Sequence, residues 1–394
     1  MHERKRQQIS VHCILSCLYF LLLPTTIAVN SAGNSILKLA TIPIGLYFLI
    51  TLFFSNRILQ INCVHLALVL YTLLIVVTLF FDADKNSVDT VIGYLLNAAL
   101  YICLTVIPYN KHELELMENI QILLLIVLNA LTLLSNGAED GRTTLMIMGQ
   151  TSDPNYFVGF FIFPLTVTLK QLVSGKHPLL SLLLIAVSMY SVFLSGSRGG
   201  FFAVVATIAG FTLIYPSGVA KRVWFLIKCF VLLAVLWMIL KPILPEKIVE
   251  RMTIESVLES GGTGRIVIWK SMIQEIIDQP EKLLFGRGTQ SLHRLFANGR
   301  WNAVVAHNHL IQSVYNLGLV GLISFLLLTG ISFFRCCRKR KCVSIAIIGM
   351  MALSLSLSFN QTTRTFWNLI AYAAFAFPND DILFPNNGGS RDNE

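Results

Sequence analysis

The chain reads as an all-α integral membrane protein, and three features predict this class. Apolar side chains make up 55% of the 394 residues, acidic and basic ones only 13%, and apolar runs near 20 residues recur from end to end. A run of that length wound as a helix covers the roughly 30 Å hydrocarbon core of a bilayer. A soluble domain is therefore excluded. Hydropathy windows place spans near 11–29, 36–54, 63–81, 88–107, 117–134, 155–171, 179–196, 199–215, 223–241, 307–330, 343–360 and 365–378, about twelve transmembrane helices, the last short. No small-residue cleavage site follows the first window, so it is expected to remain as an anchor.

One long hydrophilic stretch, Pro242 to Ala306, interrupts this pattern. The expected organisation is spans 1–9 over residues 1–241, a loop with its own amphipathic helix over 242–306, spans 10–12 over 307–378, and a polar tail over 379–394. The tail has no apolar period and is expected to be disordered.

Charge sets the expected orientation. With the amino terminus inside, the inner flanks take the runs Arg4-Lys5-Arg6, Lys221-Arg222 and Arg338-Lys339-Arg340-Lys341, whereas the outer flanks carry only Lys38, Lys85, Arg142, Arg198, Lys241 and Arg364. Positive flanks stay inside, which puts the 242–306 loop outside and both termini in the cytoplasm. The net charge of +9 is split between the two faces without a continuous basic stripe, so nucleic acid is not an expected partner. Membrane lipid phosphates are, above all for the run Cys336-Cys337-Arg338-Lys339-Arg340-Lys341-Cys342, which reads as a cytoplasmic stop signal contacting anionic lipid. All eight cysteines lie in spans or on inner flanks, and none lies in the outer loop, so no disulfide framework is implied.

Three outer positions hold ionisable groups that can do chemistry. The first is Ser195-Gly196-Ser197-Arg198-Gly199-Gly200. Small residues around one arginine let a headgroup approach the backbone, and a guanidinium grips phosphate oxygens with two donors. A Gly-rich turn with a snorkelling arginine is the plainer alternative. The second is Gly261-Gly262-Thr263-Gly264-Arg265-Ile266, opening a helix on which Trp269, Met272, Ile273, Ile276 and Ile277 recur at helical spacing until Gln279-Pro280. Its first turn offers free N–H groups and a positive dipole end, where an anion is favoured; the alternative is a surface arginine on a docking helix. Leu284-Phe285-Gly286-Arg287-Gly288-Thr289 follows as a tight turn, with Arg287 a weaker phosphate candidate.

The third is His307-Asn308-His309, followed by Gln312 and by Leu317-Gly318-Leu319-Val320-Gly321. An imidazole takes up or delivers a proton near neutral pH, although an interfacial histidine is as readily an anchor. Positions i and i+2 face different sides of a helix, so a shared metal is not expected. Asp153 before Pro154 reads as a helix N-cap. Arg364, on the outer flank before the last window, is a further possible site residue.

These motifs in this order resemble the O-antigen ligase and O-antigen polymerase superfamily of bacterial envelopes: Asp153-Pro154-Asn155-Tyr156-Phe157, the Arg198 segment, Thr263-Gly264-Arg265 with Ile268-Trp269, Phe285-Gly286-Arg287-Gly288, and His307-Asn308 with Gly318 and Gly321. The resemblance covers roughly Asp153 to Gly321. It implies an inner-membrane, multi-pass glycosyltransferase of GT-C-type helical architecture with its active site facing the periplasm. The donor it implies is an undecaprenyl-diphosphate-linked glycan, used without cofactor or metal. Residues matching Arg198 and Arg265 are thought to hold the diphosphate, and the one matching His307 to activate the acceptor hydroxyl, with His309 as its alternative. A polymerase extends the glycan, whereas a ligase transfers it to lipid A-core. The Asp153-Pro154-Asn155 segment inclines the reading towards polymerase. A lipid-linked glycan flippase is the alternative from another class, but no repeated halves or midplane charges of the transporter kind are visible.

Overall fold

The computed structural model describes residues 9–28, 36–54, 59–80, 85–134, 138–139, 142–215, 218–253, 255–256, 264–289, 291, 293–297 and 300–375. The expected tail, residues 376–378 of the last window and Gly261–Thr263 lie outside the described residues. Helices dominate, as the apolar runs require: α1 (Val11–Leu21), α2 (Ile36–Phe54), α3 (Cys63–Val77), α4 (Lys85–Thr105), α5 (Lys111–Leu134), α6 (Pro154–Val173), α7 (Pro178–Leu194), α8 (Arg198–Ile214), α9 (Val219–Leu240), α10 (Glu246–Arg251), α11 (Arg265–Asp278), α12 (His309–Lys339), α13 (Lys341–Ser354) and α14 (Arg364–Ala374). Short antiparallel pairs join β1 (Ala138–Glu139) to β2 (Arg142–Thr143) and β3 (Met146–Ile147) to β4 (Gln150–Thr151). A longer hairpin pairs β5 (His293–Ala297) with β6 (Arg300–Val304).

A helix stands in each hydropathy window, but their lengths differ from the expectation of about twelve full crossings. Among the described residues seven helices are long and apolar enough to cross a membrane: α2, α3 with the turn that follows it, α4, α5, α6, α9 and α12. At 1.5 Å per residue, α1 with 11 residues, α13 with 14 and α14 with 11 fall short of the hydrocarbon thickness. The 17-residue helices α7 and α8 come closer. Windowed hydropathy measures composition, whereas a chain that turns early within protein can keep an apolar run without spanning.

Shortness is tolerated in α14 because the helix is enclosed. Every residue from Thr365 to Ala374 is buried, and side chains from elsewhere satisfy its terminal carbonyls. Arg340 Nη1 donates to Tyr372 O (2.6 Å), Arg335 Nε to Ala373 O (3.1 Å) and Asn62 Nδ2 to Ala374 O (2.7 Å). Orphan carbonyls at a helix end need such partners, most of all away from water. Arg340, within the run read as a lipid contact, and Arg335, just before that run, therefore serve as a C-terminal cap. By contrast α2 and α9 present exposed apolar side chains such as Phe53, Phe54, Phe230 and Met238, the surface expected of helices facing lipid.

Cross-contacts sort the described residues into two ends. One end joins Lys170 to Glu118 (2.6 Å) and His65 Nε2 to Thr105 Oγ1 (2.8 Å), near the Arg340 cap. The other joins Tyr156 OH to Thr362 O (2.8 Å) and Arg142 Nε to Ser195 O (2.9 Å). The long polar stretch caps this second end.

Helix α12 is broken where the polar stretch meets it. Gly318 has φ 67° and ψ −169°, a conformation barred to L side chains, and a Cβ there would overlap the carbonyl of Leu284. The turn after α11 fills the break: Leu319 and Val320 N–H donate to Leu283 O (2.9 Å) and Leu284 O (3.2 Å), while Arg287 and Gly288 N–H donate to Asn316 O (3.1 and 2.9 Å). Gly286, at φ 76°, lies against the Asn316 backbone in the same way. Phe285-Gly-Arg-Gly288 and Leu317-Gly-Leu-Val-Gly321 are thus two halves of one joint, which supplies the hydrogen bonds the helix gives up.

Candidate active site

Five separate segments bring the site together. Asp153 caps α6 through Oδ1, which accepts from Asn155 N (2.8 Å) and Tyr156 N (3.1 Å), as the sequence predicts. Asn155 then accepts the Ser197 hydroxyl at 2.6 Å, and Ser197 Oγ accepts Gly200 N–H (2.9 Å) as the cap of α8. Arg198 is consequently the first residue of α8, fixed beside the start of α6. Gly199 and Gly200 serve this packing, since a Cβ on either would run into Ser356 or Val158. They admit neighbouring side chains where the sequence suggested a headgroup.

Arg198 Nε donates to Arg251 O (2.7 Å) and its Nη2 to Ser256 Oγ (2.7 Å), while Arg251 Nε donates to Gly196 O (3.0 Å). Arg251 ends α10 and carries no motif; sequence reasoning missed it because only the fold brings it beside Arg198. Arg265 begins α11 behind Gly264, which is left-handed at φ 76°. Burial disfavours its guanidinium charge; Asp153 opposes this, and the like charges of Arg251 and Arg198 add to it. Among the described residues the Arg265 guanidinium has no hydrogen-bond or ion-pair partner. Three cations with one nearby carboxylate form a site that an anion would neutralise.

His307 stands next to this cluster. Its φ of 48° is left-handed, uncommon outside glycine and of the kind that persists where surroundings hold it. Both neighbours are tied: Ala306 N–H donates to Gln312 Oε1 (2.8 Å), Ala306 O accepts Trp269 Nε1–H (2.6 Å), and Asn308 Oδ1 caps α12 at Leu310 N (3.0 Å) and Ile311 N (3.3 Å). Burial lowers the His307 pKa below its ordinary value; Arg265 lowers it further and Asp153 opposes. The neutral imidazole that results is the form able to accept a proton.

The remaining candidates lie differently. His309 is buried, with Nδ1 accepting Phe359 N–H (3.1 Å) and Nε2 facing Ser313 Oγ (3.3 Å), so its ring is engaged within the protein. Arg287 is tied to α11 and α12: Nε lies 3.3 Å from Glu275 Oε1, Nη2 donates to Glu275 O (2.8 Å), and the guanidinium sits 4.5 Å over the Tyr315 ring. Glu275 also takes the Tyr315 hydroxyl (3.0 Å) and His293 Nδ1 (2.6 Å). Arg364 sits at the start of α14 with Nη1 on Asn97 Oδ1, its backbone N–H on Tyr156 OH (3.2 Å).

A cavity of about 270 Å³ opens beside the site, with His307, Asp153, Tyr71, Tyr94, Asn316 and Gln361 among its lining residues. The sequence placed Tyr71 and Tyr94 in spans without a role, because their convergence depends on how α3 and α4 pack.

Apolar helices long enough to cross a membrane define the class, a multi-pass membrane protein, and the arginine cluster and His307 lie at one end of it. Residues 181–326 match the family model described as O-antigen ligase, and this match supports the O-antigen ligase and polymerase superfamily. A glycan-processing enzyme of the ligase or polymerase type is indicated. Comparison with curated proteins gives no match.

Proposed function

We propose that the chain is an inverting membrane glycosyltransferase whose donor is a glycan linked to undecaprenyl diphosphate and whose product is a lengthened surface polysaccharide. The observation that carries this reading is the grouping of Arg198 and Arg251 with Arg265, and of Arg265 with His307, all inside the segment matched to the O-antigen ligase family. In this reading the arginines hold the diphosphate and stabilise the negative charge that grows on it as the glycosidic bond breaks. His307 takes the proton of the acceptor hydroxyl as that oxygen attacks the anomeric carbon from the opposite face. One in-line displacement inverts the anomeric configuration.

Transfer to lipid A-core is the second reading, favoured by the description of the matched family as a ligase. Both readings share the donor and the site, and place the site at the periplasmic face of the inner membrane. Purified protein given the lipid-linked repeat alone, then with lipid A-core added, separates them. Polymer from the repeat alone supports polymerase; transfer only after lipid A-core is added supports ligase. Release of the glycan to neither acceptor would remove the transferase reading.

A further inference from the structure

Helix α12 begins just after His307, is long enough to cross a membrane and ends with Lys339. At the end away from His307 a groove of about 920 Å³ runs along it, beside Cys63 at the start of α3. Its apolar lining is Leu326, Leu327, Gly330, Ile331 and Phe334. Residues three and four apart share a helix face, so Leu326 and Leu327 stand one turn before Gly330 and Phe334 one turn after it. Those three side chains are exposed, whereas a Cβ on Gly330 would meet nothing within 4 Å. The glycine thus opens a gap in an apolar stripe.

Three cations, Arg335, Arg338 and Lys339, line the same groove, and among the described lining residues none is acidic. Arg335 is fixed there, because its Nε donates to Ala373 O (3.1 Å) at the end of α14. Arg338 is exposed, and among the described residues its side chain has no hydrogen-bond or ion-pair partner. Arg340 turns the other way, to Tyr372 O inside the protein. The basic run is therefore divided: part of it braces the fold, and part of it stands at the end of an apolar groove.

Length and charge identify the occupant. From Leu326 to Lys339 the helix rises about 20 Å at 1.5 Å per residue, which is the depth of one leaflet with its headgroups, half of about 40–45 Å. A soluble anion would meet the cations and leave the apolar wall uncovered. A choline headgroup would bring a further cation to the three already there. An anionic phospholipid matches both halves, with its phosphate on the guanidinium donors and a chain along the stripe. We infer that this groove binds one anionic phospholipid, in the leaflet opposite the arginine and histidine site, and that its headgroup braces α14 by holding Arg335 against the Ala373 carbonyl. The site is independent of the reaction catalysed at the other end.

The test titrates delipidated full-length protein, in a neutral detergent, with dioleoyl phosphatidylglycerol or dioleoyl phosphatidylcholine, and reads binding by native mass spectrometry beside thermal melts. One phosphatidylglycerol per chain is expected, bound at least about tenfold more tightly than phosphatidylcholine and raising the melting temperature. Each basic side chain near a headgroup contributes about fivefold, so Arg338→Gln/Lys339→Gln should weaken phosphatidylglycerol about tenfold or more while the lipid-free melt stays unchanged. Gly330→Leu fills the gap and should weaken it comparably. Dihexanoyl phosphatidylglycerol keeps the headgroup on short chains and should bind at least about tenfold more weakly than the dioleoyl form, because less apolar surface is buried. Equal affinity for the two dioleoyl lipids, or phosphatidylglycerol binding that the charge variant leaves intact, overturns the site. Short-chain lipid bound as tightly as long, or a folded Gly330→Leu protein that binds normally, reduces it to headgroup attraction at a basic surface and overturns the groove. Binding that leaves the melt of the wild-type protein unmoved overturns the bracing of α14.

Discussion

Trp269 Nε1 donates to the carbonyl of Ala306 at 2.6 Å, and this bond ties the helix that begins with Arg265 to the residue before His307. Arg265 and Trp269 are four apart on α11 and so share a face. One face of one short helix thereby carries the charge that acts on the imidazole and the hydrogen bond that places it. Trp269→Phe keeps an aromatic ring, though a smaller one, and removes the donor, leaving a buried carbonyl unpaired at a cost of about 1–3 kcal/mol. If that cost falls on the reacting geometry, kcat should drop about tenfold or more with donor affinity little changed. A normal kcat would show that the cap at Asn308 holds His307 without help.

Arginine and lysine should not be interchangeable in the cluster. Arg198→Lys and Arg265→Lys keep a positive charge but lose the planar fork of donors, so both are expected to lose most donor binding and turnover. Arg198→Lys should also loosen Arg251, whose carbonyl Arg198 holds. His307→Ala should instead bind the lipid-linked donor normally while transfer slows about 10²–10⁴-fold. Donor binding measured on detergent-purified protein beside turnover separates the two classes of loss. Full activity in either lysine variant would count against the diphosphate role.

The acid limb of kcat/KM carries the signature of His307. A base works deprotonated, and burial with Arg265 lowers this pKa, so activity should be full near neutrality and fall only below the ordinary imidazole value of about 6.5. Asp153 acts in the raising direction. Asp153→Asn keeps an N-cap and removes the charge, so the limb should move further down in pH. A limb that stays in place, or moves up, would show that another group titrates there.

Gly318 and Gly330 lie in the same helix and should respond oppositely to alanine. Gly318→Ala meets both a forbidden φ and the Leu284 carbonyl, and is expected to cost about 3 kcal/mol or more, read as loss of folded protein in detergent melts. Gly330 has open space where a Cβ would go, so Gly330→Ala should be neutral or slightly stabilising. Equal melting of both variants would mean the break is not a constrained joint.

The basic flank divides along the same lines. Arg340→Ala frees the Tyr372 carbonyl inside the protein and should lower stability by about 1–3 kcal/mol. Arg338→Ala, on a side chain without such a capping bond among the described residues, should leave the folded protein unchanged. Comparable losses in both would return Arg340 to a general charge role.

The sequence by itself determined the class, the helical windows and the identity of the motifs. Apolar runs report helices in a membrane protein, though not which of them cross it, and a capping residue such as Asp153 acts on its own helix, so both are written locally. His307 and Arg265 were legible for the same reason, as ionisable groups at the ends of apolar or amphipathic segments. Only the tertiary structure decided which of these groups meet. Arg251 joins the cluster from a helix without a motif, Arg287 is tied to Glu275 and Tyr315, and Arg335 and Arg340 cap the carbonyls of α14. The glycines of 285–288 and 317–321 show the limit most clearly. Each run signals an unusual backbone, but that each fills the hydrogen bonds the other leaves open depends on two segments about 30 residues apart meeting in space. Hydropathy and spacing describe one element at a time, whereas a site or a joint is a relation between elements, set by packing that no single stretch of sequence contains.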